Sequence, residues 1–434
     1  MSLIFILLLS MVGALIESTS IQMTRDRKRA DTSLALESVF AEYHKELLDT
    51  YDVFARYGCS GNVLQSRLSY YGADQMTHKI MKLQRLTDHD GQPFYEQAVR
   101  YAKDWLGMEG DQMQGDILPG GAAEEGNHIF EKNVDLDKEE ADTSSKMEEL
   151  LAQEEAELPK EGNPIQSVGK LRKSGLLSLV VSEEDAVSER SINTRALPTH
   201  RELEAGNFAR TDGGNAVDKA FFIAYVTEHF GSRTDTKETK ALLYEQEYLL
   251  GGHESDRENL EAVCQKILKI RMAANYVYLL TDTARQAEAE TMALGLCSLL
   301  TVPGITQIVK QGILLAWAYG ESIVDLRVLL KGNKVAAVKT SETWQLQLSN
   351  LVHLGTSEEV AGERPSRTGL SYKDYLKGLL LMEGREVLSM RSLDLIESNL
   401  SIRTDQCMTK VQMQSELRMR RGIKDTFSTE FAYR

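Results

Sequence analysis

The candidate for chemistry with the clearest spacing is a group of side chains in one predicted helix. Trp317, Glu321 and Asp325 recur every fourth residue, so a helix places them on one face, with Arg327 nearby. Two carboxyl groups beside an aromatic ring are the parts of a glycosidase site, where one acts as the acid and the other as base or nucleophile. The spacing therefore supports an exported hydrolase as one hypothesis.

The same two carboxylates also have a structural interpretation, which we favour. Carboxylates four residues apart are common on helix faces, where they pair with nearby cations. Here Glu321 and Asp325 would pair with Arg271 or Lys331 across a helical bundle. Burial distinguishes the hypotheses, because a catalytic pair lies in an open pocket whereas a structural pair is neutralised or solvated.

No other motif in the sequence predicts chemistry. The eight histidines form neither H-x-x-x-H nor H-E-x-x-H, and the sequence has no phosphate-binding G-x-x-x-x-G-K-[ST] loop and no G-x-S-x-G elbow. We therefore predict no catalytic residue, no metal site and no cofactor. The net charge of −15 argues against a nucleic-acid partner, because phosphate contacts need a concentrated basic face.

The cysteines are too far apart for a zinc site, which needs closely spaced ligands. The sequence predicts buried free thiols, and two long-range disulfides are the alternative in an exported domain. The four residues are Cys59, Cys264, Cys297 and Cys407.

The elements that position these groups begin with a helix predicted over residues 3–57. Residues 3–16 are apolar and span about 21 Å as a helix, and extension to residue 21 approaches the roughly 30 Å of a bilayer core. We predict a single-pass anchor in the cytoplasmic membrane through residues 3–21. A cleaved signal peptide and a soluble core helix are the alternatives, but the first would need a basic start and a small-residue cleavage motif.

The charges around the anchor predict more upstream sequence. Basic residues follow the apolar run at Arg25, Arg27, Lys28 and Arg29, and only Met1 and Ser2 precede it. A long domain is translocated largely regardless of such charges, so the main domain is predicted to be exported. We expect the coding sequence to begin a few codons upstream and to supply an Arg or Lys, which a stop codon directly before Met1 would contradict.

The rest of the chain predicts an α+β domain interrupted by a linker. Residues 58–108 form its first part, residues 109–161 an acidic disordered or loosely helical linker with one short helix at 146–158, and residues 162–434 the main part. The main part contains a helical block at 256–330. Further helices are predicted at 94–105, 165–171, 219–230, 371–382 and 385–400, and strands at 76–86, 176–181, 242–250, 335–338, 344–348, 406–417 and 427–433.

Several stretches together carry a resemblance to a known family. They are the apolar start, the run Ser38-Val39-Phe40-Ala41-Glu42-Tyr43, the run Glu247-Tyr248-Leu249-Leu250-Gly251-Gly252, Asn259-Leu260 with Ile270-Arg271 and Asn275, and Ala316-Trp317-Ala318-Tyr319-Gly320-Glu321-Ser322 with Asp325. The pattern resembles uncharacterised proteins of Clostridia-type bacteria that are encoded with Tad (Flp) pilus and secretion genes. Those proteins are TadE/TadG-like at the N-terminus.

The resemblance implies a pseudopilin-like or assembly component. One membrane helix would run into a domain on the outer side of the cytoplasmic membrane, and the partners would be other pilus or secretion subunits. The family has no known catalytic residues to carry over. The chain departs from it at the start, where basic and small residues normally precede the apolar run.

Overall fold

The first element is a helix of 39 residues, α1 (Ser2–Phe40), in a computed structural model of the chain. The structure describes residues 2–58, 61–107, 133–153, 157–159, 162–182, 185–211, 214–298, 300, 304–356, 364–419 and 422–433. The prediction of one helix to residue 57 is wrong beyond Phe40. The carbonyl of Val39 accepts from Arg56 Nε at 3.2 Å and that of Phe40 from Tyr433 Oη at 2.5 Å, so the end of α1 is capped by distant side chains.

The remaining elements follow in chain order, and the predicted α+β class is confirmed. The helices are α2 (Lys45–Tyr51), α3 (Gly61–Tyr70), α4 (Asp88–Leu106), α5 (Asn133–Gln153), α6 (Pro164–Leu171), α7 (Leu176–Val180), α8 (Ala216–His229), α9 (Glu245–Gly251), α10 (Asp256–Thr281), α11 (Thr283–Leu296), α12 (Ile305–Leu330), α13 (Tyr372–Met382) and α14 (Arg385–Leu400). The strands are β1 (Arg56–Tyr57), β2 (Met76–Arg85), β3 (Lys334–Val335), β4 (Leu370–Ser371), β5 (Cys407–Arg418) and β6 (Lys424–Ala432). Short 3₁₀ turns lie at Thr194–Ala196, Leu348–His353 and Thr404–Gln406.

The chain forms two compact units, which is a different division from the predicted one. The first contains Met1–Gly107, Asn193–Tyr225 and Arg385–Arg434, and the second contains Met108–Ile192 and Val226–Gly384. Each unit is therefore assembled from segments that are distant in the sequence.

The first unit is built on an antiparallel sheet with β5 at its centre. Strand β2 pairs with one edge of β5, and β1 and β6 pair with β5 as well. The predicted strands at 76–86, 406–417 and 427–433 are confirmed as β2, β5 and β6. Side chains of β5 alternate in burial, which gives the sheet one face for a core.

The second half of α1 fills that core. Ala35, Leu36, Val39 and Phe40 are at most 1% exposed and cluster with Met408, Val411 and Met413 of β5. The ring of Phe40 stacks on Phe431 of β6 with 4.3 Å between centroids. Burying an aromatic ring of this size stabilises a fold by about 1.5–3 kcal/mol, so α1 is an integral part of this unit.

The first half of α1 has the opposite environment. The large apolar side chains from Leu3 to Ile16 are all more than half exposed. Among the described residues, Leu3–Phe40 is a helix long and apolar enough to cross a membrane, and a signal sequence passes the same test of length and composition. The structure therefore agrees with an N-terminal membrane segment.

The second unit is mainly helical and is centred on α12. The predicted helical block at 256–330 is confirmed as α10, α11 and α12, and α12 packs against α5, α6, α10 and α11. The helices predicted at 165–171 and 371–382 are confirmed as α6 and α13. Ser371 begins α13 with a capping box, in which its side chain accepts from the Asp374 backbone and the Asp374 carboxylate accepts from the Ser371 backbone.

The predicted linker contains an ordered helix. Residues 133–153 form α5, in which Leu136 and Thr143 are each 8% exposed and Glu139 accepts hydrogen bonds from Tyr276 Oη and Gln311 Nε2 at 3.0 and 2.9 Å. The predicted short helix at 146–158 is confirmed as far as Gln153, as the end of α5, and the disordered alternative is wrong for this part. Residues 109–132, 154–156 and 160–161 of the predicted linker lie outside the described residues.

Three predicted strands are wrong, and the one at 335–338 is confirmed only at Val335, which lies in β3. Residues 176–180 form helix α7 and residues 245–251 form helix α9. In addition, residues 335–338 and 344–348 do not pair with each other, because β3 pairs with β4 instead. In α9 every side chain from Glu245 to Leu250 is buried, so this helix is enclosed on all sides. Periodicity alone does not distinguish such a short buried helix from a buried strand.

The buried glutamate of α9 predicts a pH dependence. Glu247 Oε1 accepts from Arg233 N and from Tyr372 Oη at 2.9 Å each, and burial raises the pKa of Glu247 to about 7. The folded state then binds this proton more tightly than the unfolded state, so stability decreases as the pH rises from about 4.5 to 7. We expect wild type to lose about 3 kcal/mol over this range relative to Glu247→Gln in urea unfolding.

The control for this pH experiment is the exposed Glu254. Glu254→Gln makes the same chemical change at an exposed position, so this variant should keep the pH-dependent loss of stability that Glu247→Gln removes. Equal pH profiles for wild type and Glu247→Gln would contradict the prediction.

Candidate functional site

Helix α12 carries the three side chains that the sequence singled out, and all three are buried on one face. Trp317 is 1% exposed, and Glu321 and Asp325 are each 0% exposed. The helix begins after Gly304, whose φ of 77° lies in the left-handed region that favours glycine. Arg327 does not join the group, because its Nε donates to Leu179 O at 2.6 Å instead.

Asp325 is held by a cation from the neighbouring helix α10. Arg271 donates to Asp325 Oδ2 from Nε at 3.1 Å and from Nη2 at 2.9 Å. Asn275, one turn further along α10, donates from Nδ2 to the same oxygen at 3.0 Å. The predicted pairing across the bundle with Arg271 is therefore confirmed.

The second cation of the cluster is Lys339, which comes from outside the helices. Its Nζ donates to Glu321 Oε1 at 2.5 Å, to Asp325 Oδ1 at 2.6 Å and to Thr343 O at 3.2 Å. The lysine side chain is 1% exposed. The predicted alternative partner Lys331 is exposed and lies at the end of α12, so the sequence pointed to the wrong lysine.

The cluster fixes an irregular segment against α12, and we name residues 336–346 the strap. Arg271 Nη1 donates to Ala336 O and Ala337 O at 3.0 and 3.1 Å. Glu321 accepts from the backbone N–H groups of Gln345 and Leu346 at 3.0 and 2.7 Å. Both ends of the strap are thus bound to buried charged side chains.

Gly320 explains how closely this region packs. A Cβ atom at position 320 would lie 2.7 Å from a side-chain carbon of Leu346 and even closer to Leu351. Only glycine leaves room for the strap and the following turn on this side of α12.

The cluster is electrically balanced and its hydrogen bonds are complete. Two cations face two carboxylates, the five N–H groups of Arg271 all have acceptors, and so do the three of Lys339. Tyr375 Oη is one of the acceptors of Arg271, at 3.2 Å. Buried ions are tolerated when they are paired and fully hydrogen-bonded in this way.

The two carboxylates differ in their titration. Burial acts to raise the pKa of Asp325, but the charges of Arg271 and Lys339 outweigh it and hold the pKa below its usual value. Burial raises the pKa of Glu321 above its usual value, although Lys339 opposes this. Asp325 is therefore the firmly ionised member of the pair.

The hydrogen bonds of the cluster hold the strap and α10 against α12, and neither carboxylate is free to contact a substrate. A general acid or a nucleophile must approach the substrate to within hydrogen-bond reach, and here both carboxylates are at 0% exposure and each of their four oxygens accepts a hydrogen bond from within the protein. The geometry matches the structural interpretation of Glu321 and Asp325. The sequence could not identify Lys339, Asn275 and Tyr375 as members, because no local pattern links them to α12.

A second arrangement adjoins the cluster and consists of aromatic rings around a cation. The guanidinium carbon of Arg285, in the first turn of α11, lies 5.8, 5.6 and 5.1 Å from the ring centroids of Tyr278, Trp317 and Trp344. We name these three rings the aromatic cage. Sequence analysis identified Trp317 but not its two partners.

Metal ligands and cysteine thiols are the other groups that could carry chemistry. No group of three or more His, Cys, Asp or Glu side chains there could hold a metal ion. Cys264, Cys297 and Cys407 are buried free thiols, as predicted, and Cys59 lies outside the described residues. Burial raises the pKa of the Cys264 and Cys297 thiols, which makes them poor nucleophiles.

Comparison with known proteins identifies a family. The profile of a family of unknown function (DUF5702) matches residues 154–419, which is more than half of the chain and includes both the ion cluster and the aromatic cage. No curated protein and no solved structure matches the chain significantly.

Proposed function

We propose a structural role for this chain, which belongs to the DUF5702 family of unknown function. The protein is a membrane-anchored, pseudopilin-like structural or assembly component of a Tad/Flp-type pilus or secretion system. Its main domain is exported, and it acts by contact with other subunits of that system.

The observation that carries this proposal is the division of α1 into two environments. Its first half exposes large apolar side chains from Leu3 to Ile16, and its second half is buried in the core of the first unit. A single helix therefore connects an apolar surface of membrane length to a folded domain without a flexible joint. A subunit needs this construction when its helix packs in a bilayer or a filament and its domain lies outside the membrane.

The charged residues between the two halves support the same role. Arg29 pairs with Asp425 of β6 at 3.3 Å, and Arg25 lies 3.8 Å from the same carboxylate. Lys28 pairs with Asp74 at 3.3 Å. These contacts tie the helix to the sheet directly after the apolar segment, and so hold α1 in one direction relative to its unit.

The buried ion cluster argues against catalysis by the two carboxylates of the hydrolase hypothesis. Glu321 and Asp325, the residues of the hydrolase hypothesis, spend their hydrogen-bonding capacity on the strap and on α10. No observation favours a hydrolase that uses them, so we do not propose it.

Photo-crosslinking in cells that carry the Tad pilus genes tests the proposal. A photoreactive residue at Leu8 or Met11, both more than half exposed on α1, should capture pilus or secretion subunits. The same residue at Met382, which is 63% exposed on the second unit, controls for random capture by an apolar surface. Recovery of the protein in a soluble, partner-free fraction would overturn the proposed role.

A further inference from the structure

The aromatic cage is held in one geometry by hydrogen bonds. Both indole N–H groups, of Trp317 and of Trp344, donate to Leu346 O at 2.8 and 2.7 Å. That residue belongs to the strap, and its own N–H donates to Glu321. The buried ion cluster therefore positions the carbonyl that orients both tryptophan rings.

An anion completes the cage on the side of α11. Asp282 caps this helix, because its Oδ1 accepts from Ala284 N and Arg285 N at 3.0 and 3.1 Å. Its Oδ2 accepts from Tyr278 Oη at 2.5 Å and lies 3.7 Å from Arg285 Nε. Hydrogen bonding from Tyr278 and Arg285 lowers the pKa of Asp282, so the carboxylate is ionised at neutral pH.

The resident cation is held loosely in comparison with the fully buried Arg271. Arg271 uses all five of its N–H groups, whereas the guanidinium of Arg285 makes no hydrogen bond to any described residue, and its buried Nε has only the long ion pair with Asp282. The Arg285 side chain is 18% exposed and starts from the first turn of a helix, so it can swing outward without breaking a hydrogen bond. Its attachment consists of ring contacts and one long ion pair.

We propose that the aromatic cage, with Asp282, is a binding site for a guanidinium group and that Arg285 is an internal guest occupying it. The ligand is an arginine side chain of a partner protein, which enters when Arg285 swings out. A planar guanidinium can stack on the rings and pair with the carboxylate, whereas a quaternary ammonium group can use only the rings. The proposal does not depend on membrane anchoring or on a pilus.

An internal guest weakens binding of an external one. A tethered side chain competes at an effective concentration of millimolar order, so the wild-type cage should bind a small guanidinium at least about tenfold more weakly than a vacated cage. A partner that supplies its arginine together with other contacts would overcome this competition.

Tryptophan fluorescence of the full chain in mild detergent can measure binding. Two of the three tryptophans are in the cage, and Trp105→Phe removes the third, which is 51% exposed in α4. In this background Arg285→Ala should give a saturable fluorescence change with methylguanidinium. The chain that keeps Arg285 should bind methylguanidinium with an affinity at least about tenfold lower. The neutral analogue methylurea should give none.

Further variants and one further probe make the outcome decisive. Adding Tyr278→Ala should abolish the response, and Arg285→Met, which refills the space with an uncharged side chain, should also give no response while keeping the fold, as circular dichroism would show. A response of equal affinity with and without Arg285, or no saturable response in folded Arg285→Ala, overturns the proposal. Tighter binding of tetramethylammonium than of methylguanidinium overturns the assignment to arginine.

Discussion

Replacing Lys339 by methionine is expected to lower the free energy of unfolding of the second unit by about 3–5 kcal/mol. Methionine keeps much of the apolar stem but removes the ammonium group that neutralises Glu321 and contacts Asp325. The cluster then holds two buried carboxylates and one guanidinium, which leaves a carboxylate without its countercharge at 0% exposure. Urea unfolding followed by tryptophan fluorescence measures the loss, because Trp317 and Trp344 lie beside the cluster.

The matched control is Lys334→Met, which makes the same chemical change at an exposed lysine only five residues earlier. Its effect should stay within about 0.5 kcal/mol, as for most surface substitutions. If the two variants lost stability equally, the cluster would not be the source of the effect.

A second substitution separates charge from packing. Glu321→Gln in the Lys339→Met background removes the uncompensated charge but keeps the side-chain length, so the double variant should recover at least about 1 kcal/mol relative to additivity. The same recovery should not occur when Glu321→Gln is combined with Lys334→Met.

The parts of this site that were predictable from the sequence are the local ones. The i, i+4, i+8 spacing put Trp317, Glu321 and Asp325 on one face, because helical periodicity depends only on neighbouring residues. Lys339 was not predictable, since it lies in an irregular segment of Thr, Ser and Glu that is typical of an exposed turn. What buries it is the pair of carboxylates on α12, and that contact is visible only in three dimensions.

The incorrect boundaries have the same cause. No Pro or Gly within residues 38–57 ends a helix at Phe40, and the groups that cap its end are Arg56 and Tyr433, the second 393 residues away. The segment around Glu247 was predicted as a strand that ends at Gly251-Gly252. In the structure the backbone N–H groups of Gly231 and Arg233 donate to Glu245 and Glu247, so a fully buried helix can carry both.

The acidic segment shows the limit of a composition argument. Few aromatic residues and many glutamates predicted a linker, because such a chain cannot bury enough apolar surface by itself. Helix α5 obtains its contacts from elsewhere, since Glu139 is bound by Tyr276 of α10 and Gln311 of α12. Composition describes what a segment can do alone, whereas a neighbouring surface decides what it does in the fold.

Two aspartates in the apolar half of α1 are expected to release the protein from membranes. Leu8→Asp with Val12→Asp places two carboxylates one helical turn apart near the middle of the proposed span, and each costs about 2.5–3.5 kcal/mol at the centre of a membrane helix. Both native side chains are about half exposed, at 52% and 51%, and belong to no core of the first unit. The double variant should therefore fold normally by circular dichroism and yet fail to float with membranes in a density gradient.

The control is Leu34→Asp, which introduces the same charge on the same helix at a side chain that is 64% exposed but lies beyond the basic residues. This variant should remain membrane-bound, because position 34 is outside the apolar segment that spans the bilayer. Mass spectrometry of the N-terminus separates the anchor from the signal-peptide alternative, since a cleaved chain lacks residues 3–16. Flotation of the double-aspartate chain with intact membranes would contradict the anchor, because something other than residues 3–21 would then hold the protein in the membrane.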